Sequence, residues 1–333
     1  MGGRVLVTGV SGYVGGHVVA DLRAHGYVVR GTARRAVDGV DVVAADLLGD
    51  PGWAEAVDGC DYVVHVASPF PSEAPTSDDE VVRPAVDGTL RVLRAAVAAG
   101  VRRVVLTSSV AAVVNGHVGG GVRTEADWSV VDRSPVYPRS KTLAERAAWD
   151  FARESGLELV AVNPGLVLGP VLGPALSTSV QVVHRLLTRD VPASPKMGFS
   201  VVDVRDVATA HRLALETPSA AGNRYIVAGE HMWMREIAVV LAEEFNPRGY
   251  RVPTGPLPTW MLRVLARFDP SVRPALDLVG RREDVSSDKA RRELGWTVRS
   301  ARESILDTAY SLIELGLAPS KLSQGVPERS GTS

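Results

Sequence analysis

The chain has 333 residues, 45% hydrophobic and 23% charged, with 37 Lys and Arg against 38 Asp and Glu. That length exceeds one minimal core and fits a large α/β domain with an appended smaller lobe. The balanced charge argues against a nucleic-acid partner, and the lone cysteine, Cys60, leaves neither a disulfide framework nor a cysteine-based metal cluster.

Met1-Gly2-Gly3-Arg4 runs directly into an apolar stretch that Gly9 interrupts long before a membrane span could form. The expectation is therefore a cytoplasmic chain with no membrane partner. Arg4 to Thr8 is apolar and β-branched, which predicts a buried strand. Val14 to Ala24 follows with helical spacing and ends near Gly26, a C-cap residue. Further strands are expected at about Val28 to Ala33, Asp41 to Ala45, Tyr62 to Val66, Arg103 to Thr107 and Leu157 to Val162. Helical patterns at Val81 to Ala99 and Tyr137 to Ser155 lie between them, and such alternation predicts a parallel sheet with helices on both faces. The link from Arg34 to Val40 is too short for a crossover helix, so an extended return is expected there, with a more open pocket beside it.

After Pro164 the composition shifts to clustered proline and glycine, at Pro164-Gly165, Gly169-Pro170 and Gly173-Pro174, which predicts a loop. Helices are expected at Gln181 to Thr188, Val204 to Leu215, Met234 to Glu244, Pro258 to Phe268, Ser287 to Leu294 and Ala301 to Leu315, with a strand at Asn223 to Ala228. The tail, 319–333, is polar and aperiodic and is expected to be disordered.

Chemistry enters first where strand one meets its helix, in Thr8-Gly9-Val10-Ser11-Gly12-Tyr13-Val14-Gly15. A tight strand-to-helix turn without Cβ atoms lets a pyrophosphate approach the backbone, and the helix offers N–H groups and its positive dipole end. Gly9, Gly12, Tyr13, Val14 and Gly15 are thus candidate dinucleotide contacts. The second strand ends in Thr32-Ala33-Arg34-Arg35 with no carboxylate, which favours NADP through Arg34 over NAD, although two solvated arginines on a surface turn would look the same. Asp46-Leu47, after the third strand, would meet the adenine ring, with an ordinary helix N-cap as the other reading of Asp46.

Tyr137-Pro138-Arg139-Ser140-Lys141 puts a phenol and an ammonium on one helical face. A neighbouring cation is expected to lower the phenol from its ordinary value of about 10, making it a proton donor and acceptor. Thr107, Ser108 and Ser109 close the fifth strand at the carboxyl edge of the sheet, where a serine hydroxyl can bond a substrate oxygen as charge develops. Glycine turn, strand-end serine and Tyr/Lys pair occur in that order along the chain, and the conjunction is far more specific than any one of them.

These residues, with His65-Val66-Ala67-Ser68-Pro69, Pro84-Ala85-Val86-Asp87-Gly88-Thr89, Asn163-Pro164-Gly165, Val202 to Ala208 and Leu294-Gly295-Trp296, make the chain resemble the extended short-chain dehydrogenase/reductase family. Within it the likeness is to dihydroflavonol 4-reductases, cinnamoyl-CoA reductases and related carbonyl or aldehyde reductases. The resemblance implies that Ser109, with Ser108 as fallback, orients the substrate oxygen, that Tyr137 moves the proton, and that Lys141 also holds the nicotinamide ribose. It implies cofactor contacts from Val66, Ala67, Ser68 and Thr107, nicotinamide contacts from Pro164 and Val167, and a phosphate contact from Ser179. His65 reads as packing. Ala85 stands where short-chain dehydrogenases outside this branch often carry an active-site asparagine, so a relay through that side chain is not expected.

The expected architecture is an α/β fold, a Rossmann-like doubly wound parallel sheet with a smaller, mostly helical C-terminal substrate lobe. Residues 1–166 with about 200–230 would bind NAD(P), and 167–199 with 231–318 would form the lobe. The expected activity is NADP(H)-dependent reduction of a small apolar or aromatic ketone or aldehyde, or the reverse alcohol oxidation, by a monomer or homodimer. Val113, Val114, Asn115, Trp128 and the Leu172 to Ser179 loop are the expected pocket walls. A nucleotide-sugar epimerase or dehydratase would share the triad, but the Val171 to Ser179 loop is apolar and offers few polar grips. A hydroxysteroid dehydrogenase fits the same chemistry. A non-catalytic cofactor-sensing protein would commonly have lost Tyr137 or Lys141.

Overall fold

Val5, Leu6 and Val7 are all fully buried, the mark of a strand covered on both faces. In the computed structural model, described for residues 2–68, 77–268, 276 and 278–320, that strand is central to a sheet of seven parallel strands. They are β1 (Arg4–Thr8), β2 (Val28–Thr32), β3 (Asp41–Val43), β4 (Tyr62–His65), β5 (Arg103–Thr107), β6 (Glu158–Pro164) and β7 (Arg224–Val227). Their order is β7-β6-β5-β4-β1-β2-β3. The helices are α1 (Tyr13–Ala24), α2 (Trp53–Val57), α3 (Asp79–Ala98), α4 (Ala111–Val114), α5 (Val136–Ser155), α6 (Thr178–Thr188), α7 (Val204–Glu216), α8 (Met234–Phe245), α9 (Thr259–Phe268), α10 (Asp288–Leu294) and α11 (Ala301–Glu314).

Because side chains alternate along a strand, each central strand feeds two cores. Val5, Val7, Val64, Val105, Val160 and Val162 pack with α1, α7 and α10, while Leu6, Val63, Val104, Leu106 and Leu159 pack with α2, α3 and α5. Each such fully buried side chain contributes about 1.5–3 kcal/mol. Gly88 lets α3 close onto the Leu47 turn, since a Cβ there would lie 3.0 Å from the Leu47 Cβ.

The link between β2 and β3 contains turns and no helix, as its length requires, and the two strands pair in parallel. The Arg23 guanidinium pins it by donating to the Gly39 carbonyl at 2.6 Å. Strands β2, β3 and β4 stop one or two residues before the expected ends, and β6 runs on to Pro164. Helix α6 starts three residues earlier than its apolar pattern suggests, because the Ser177 hydroxyl caps it by accepting the Val180 N–H at 3.3 Å. Helices α2 and α4 and the three-residue strand His231–Trp233 lie below what periodicity can detect, and the fully buried strand Gly198–Asp203 adds to the expected set.

Two compact units divide the chain: Met1–Val167 with Ser200–His231 and Glu283–Ser300, and Leu168–Phe199 with Met232–Arg282 and Ala301–Ser333. Residues 283–300, expected in the second lobe, group with the larger unit. Ala290, Leu294 and Trp296 are buried in its sheet core, and Trp296 Nε1 donates to the Asp206 carbonyl at 2.8 Å. In the smaller unit α11 packs on α6 and α8, Phe245 meets Tyr250 and Tyr310, and the Thr308 and Ser311 hydroxyls accept the N–H groups of Gly169 and Val171. Residues 321–333 of the expected disordered tail lie outside the described residues. Pro319, by contrast, is tied down through its carbonyl, which accepts the Tyr250 hydroxyl at 2.5 Å. Among the described residues, no helix is long and apolar enough to cross a membrane.

Candidate functional site

The glycine turn is built by steric necessity. Gly9 adopts φ +71° and lies against Ala67, where a Cβ would come within 3.1 Å. A Cβ on Gly15 would stand 2.2 Å from the Gly9 carbonyl oxygen, and one on Gly12 3.1 Å from it. The Gly12 N–H closes the turn onto that same carbonyl at 2.9 Å. Gly12 is also the N-cap of α1, with no side-chain cap and no acidic residue in the first turn. A helix N-terminus without a Cβ wall or an acidic residue in its own first turn meets the requirements of a dinucleotide pyrophosphate.

Thr8, which the sequence reading left as a strand terminus, organises the neighbouring wall. Its hydroxyl accepts the N–H groups of Val66 at 3.0 Å and Ala67 at 2.9 Å. Its own hydrogen is then directed to His65 Nδ1 at 2.8 Å, which leaves the His65 proton on Nε2. Burial pushes His65 down to about 3, so it is a neutral packing residue, as its strand position suggested.

Arg34 is exposed just past the end of β2, and Asp46 is exposed in the turn after β3. Asp46 is no helix N-cap; its carboxylate accepts the Leu48 N–H at 2.9 Å. Leu47 is buried in the core beneath α3, so only its backbone is available to a ligand. Val66 and Ala67 are half-buried and Ser68 is exposed.

Ser108 and Ser109 point to different partners. Ser108 is buried and donates to Glu145 Oε2 at 2.5 Å, whereas the Ser109 hydroxyl accepts the Ala111 N–H at 3.1 Å and stands near enough to the Tyr137 phenol to pull it down. Tyr137 and Lys141 share α5 one turn apart, and the Lys141 ammonium donates to the Ser68 hydroxyl at 3.2 Å. The structure therefore brings Ser68, Ser109, Tyr137 and Lys141 into one linked group.

The expected electrostatics need correction. Burial pushes the Tyr137 phenol up, Ser109 pulls it down, and the Glu283 carboxylate pushes it up again. The group that pulls it down here is Ser109, while the Lys141 head is engaged with Ser68. Tyr137 keeps 42% of its surface exposed, so the upward push reflects the protein packed around the hydroxyl rather than exclusion from water. Lys141 is itself brought down to about 8 by desolvation, against the field of Glu145, which supports its charge.

Glu145 was not singled out from the sequence, although its place one turn after Lys141 was a readable signal. It is buried and receives the Asn163 amide at 2.9 Å, Trp149 Nε1 at 3.2 Å and a two-pronged contact from Arg224 at 2.5 and 3.3 Å. Arg224 lies 3.7 Å over one face of the half-buried Trp128 ring. Val113 and Asn115 are buried, Asn115 donating to the Ala111 carbonyl, so neither lines an open pocket.

Thr107 is occupied by His211, with Oγ1 and Nε2 2.7 Å apart. Pro164 ends β6 with its carbonyl accepting the Val110 N–H at 2.9 Å, and Val167 is buried three residues on. Ser179 sits in the first turn of α6, in the smaller unit.

Residues 5–229 match the model of the NAD dependent epimerase/dehydratase family. The chain is 35% identical to cinnamoyl-CoA reductase 1 of Arabidopsis thaliana, over 96% of this chain and 92% of that one. It is 32% identical to dihydroflavonol 4-reductase of Zea mays, over 95% and 90%. Among solved structures it is similar to yeast methylglyoxal/isovaleraldehyde reductase Gre2 complexed with NADPH, with a TM-score of 0.77 and 27% identity over 94% of this chain and 99% of that one.

Proposed function

Because the chain belongs to the NAD-dependent epimerase/dehydratase family, among the extended short-chain dehydrogenase/reductases, we propose that it is an NADP(H)-dependent carbonyl reductase that also runs in the direction of alcohol oxidation. It is an NAD(P)-dependent oxidoreductase of the group that holds cinnamoyl-CoA, dihydroflavonol and carbonyl reductases. The observation that carries it is Tyr137 standing beside Ser109, with Lys141 one helical turn further along and donating to Ser68.

Bound over the glycine turn, a nicotinamide dinucleotide would supply or accept the hydride. Gly9 and Gly12 would let its phosphates approach the turn and Tyr13, Val14 and Gly15 in the first turn of α1 would meet them, with Val66, Ala67 and Ser68 along its side and Pro164 and Val167 at the nicotinamide end. Asp46 and the Leu47 backbone would border the adenine, and Arg34 would pair with a 2′-phosphate. Tyr137 would deliver its proton to the carbonyl oxygen, and Ser109 would hydrogen-bond that oxygen while aligning the phenol. Lys141, kept cationic by Glu145, would stabilise the phenolate left behind. Thr107, bonded to His211, would hold the end of β5 in place beneath these groups.

The test is oxidation of NADPH and NADH in the presence of aromatic aldehydes, ketones, ketoesters and dihydroflavonols. Tyr137→Phe should lower kcat/KM by about 10²–10⁴-fold while NADPH binding persists, and a variant as active as the parent would refute the mechanism. In the same assay Arg34→Ala should narrow the preference for NADPH over NADH; an unchanged ratio would remove the role assigned to Arg34.

A further inference from the structure

Three successive residues of β6 hold the three residues that follow β5. The Ser108 N–H donates to the Val162 carbonyl at 2.8 Å, and the Val110 N–H donates to the Pro164 carbonyl at 2.9 Å. Between these backbone bonds, Asn163 Nδ2 donates to the Ser109 carbonyl at 3.2 Å. The middle tie, the one on the residue beside Tyr137, is thus the one that a side chain makes. Ser109 also opens α4: its hydroxyl accepts the Ala111 N–H at 3.1 Å and its carbonyl the Ala112 N–H at 3.0 Å. Helix α4 packs on α5, which carries Tyr137 and Lys141.

The same Asn163 amide reaches α5 as well, donating to Glu145 Oε2 at 2.9 Å. One side chain therefore joins Ser109 to the helix of Tyr137. Both partners, a carbonyl and a carboxylate, only accept, so the site calls for two donors on one group and fixes the amide orientation. Asn163 is fully buried, and among the described residues its Oδ1 has no partner. Neither acceptor depends on Asn163 to be satisfied. Glu145 has Ser108, Trp149 and Arg224, and the Ser109 carbonyl has the Ala112 N–H. Packing would be served as well by leucine, which has the same heavy-atom outline and no polar atom to bury. What the amide adds is the placement of Ser109.

We propose that Asn163 is a positioning residue: by holding the Ser109 carbonyl and Glu145 on a single amide, it sets the Ser109 hydroxyl against Tyr137 so that both reach one substrate oxygen. The proposal rests on the reductase reading above. Asn163 touches neither substrate nor cofactor in it and acts through Ser109. Misplacing a reacting group by about 1 Å costs on the order of 10²-fold in rate, so a tie of this kind matters to turnover even where it adds nothing to stability.

Asn163→Leu is the first variant, assayed with NADPH and a carbonyl compound that the parent reduces. Its kcat should fall by about 10–100-fold, with the KM for NADPH unchanged and Tm no lower than the parent's, a combination that a merely structural role would not give. In a Ser109→Ala background the same substitution should cost little further, because the residue it acts through is gone. Asn163→Asp keeps the shape but can donate only while its carboxyl is protonated, so it should lose kcat at lower pH than the parent does. It also serves where the Leu variant does not fold. A kcat in Asn163→Leu equal to the parent's, a loss undiminished in the Ser109→Ala background, or an Asn163→Asp profile that coincides with the parent's overturns the proposal. A parent that reduces no carbonyl compound with either cofactor sinks the reductase reading instead. Crystal structures of the parent and Asn163→Leu then decide for or against Asn163, and a Ser109 hydroxyl in the same position in both overturns its role.

Discussion

Lys141 is an ammonium caught between two opposing influences, a desolvated position that brings it down to about 8 and a carboxylate one turn away that supports its charge. A lowered ammonium loses its proton earlier as pH rises, so the cationic form belongs to the acid side of that value. If Lys141 must be charged to stabilise the Tyr137 phenolate, kcat/KM for carbonyl reduction should fall as pH rises through about 8, approaching tenfold per pH unit. Glu145→Gln should shift that fall to lower pH, because the supporting field is gone while the side-chain shape is kept. Pre-steady-state rates across pH would show it, and an alkaline limb that stays in place would clear Glu145 of the role. The amide keeps the shape and hydrogen-bonding capacity of the side chain but still leaves the buried Arg224 without its counter-charge, a cost of about 3–5 kcal/mol, so Tm is measured beside the rate to keep a rate effect apart from unfolding.

At the scale of elements, the turn from β1 into α1 is a packing problem with a narrow solution. Gly15 allows the helix to settle onto the Gly9 carbonyl, and a methyl group there has no space, since the obstruction 2.2 Å away is backbone. Gly15→Ala should therefore lift the start of α1, destabilise the fold by about 1–3 kcal/mol or more, and weaken NADPH binding disproportionately because the same N–H groups are displaced. Gly120→Ala is the matched control, with no heavy atom within 4 Å of the added carbon and no positive φ. Fluorescence titration of NADPH alongside thermal melting separates the two effects, and equal affinity in Gly15→Ala and the parent would show that the turn does not hold the dinucleotide.

For the molecule as a whole, two buried histidines set the acid limit. His65 is held at about 3 and His211 at about 4, both below their ordinary 6.5, because burial disfavours the imidazolium. His211 is bonded on both nitrogens, to the Val207 carbonyl and the Thr107 hydroxyl, each at 2.7 Å. With folded values depressed, the stability they provide is complete above 6.5 and is lost as pH falls toward the folded values, since the unfolded chain takes up protons that the native state refuses. Tm should fall progressively between about pH 6 and pH 4, and His211→Gln, which keeps a donor and an acceptor without a titrating ring, should flatten the fall. Identical Tm profiles for parent and variant would show that His211 carries none of it.

The glycine turn, the Tyr137/Lys141 pair, the serine pair closing β5 and the seven parallel strands could all be read from the sequence, because each depends on local rules: period, cap, steric freedom, spacing. Even the absence of a helix between β2 and β3 followed from a residue count. Other features depended on groups remote in sequence meeting in space. Glu145 claims the Ser108 hydroxyl and leaves Ser109 beside Tyr137, whose phenol is also acted on by Glu283 from far along the chain. Arg224 stacks on Trp128 from far along the chain, and residues 283–300 join the larger unit through Trp296. Hydrogen bonds and desolvation act over a few ångströms of real space, and no pattern along the chain records which groups will share them.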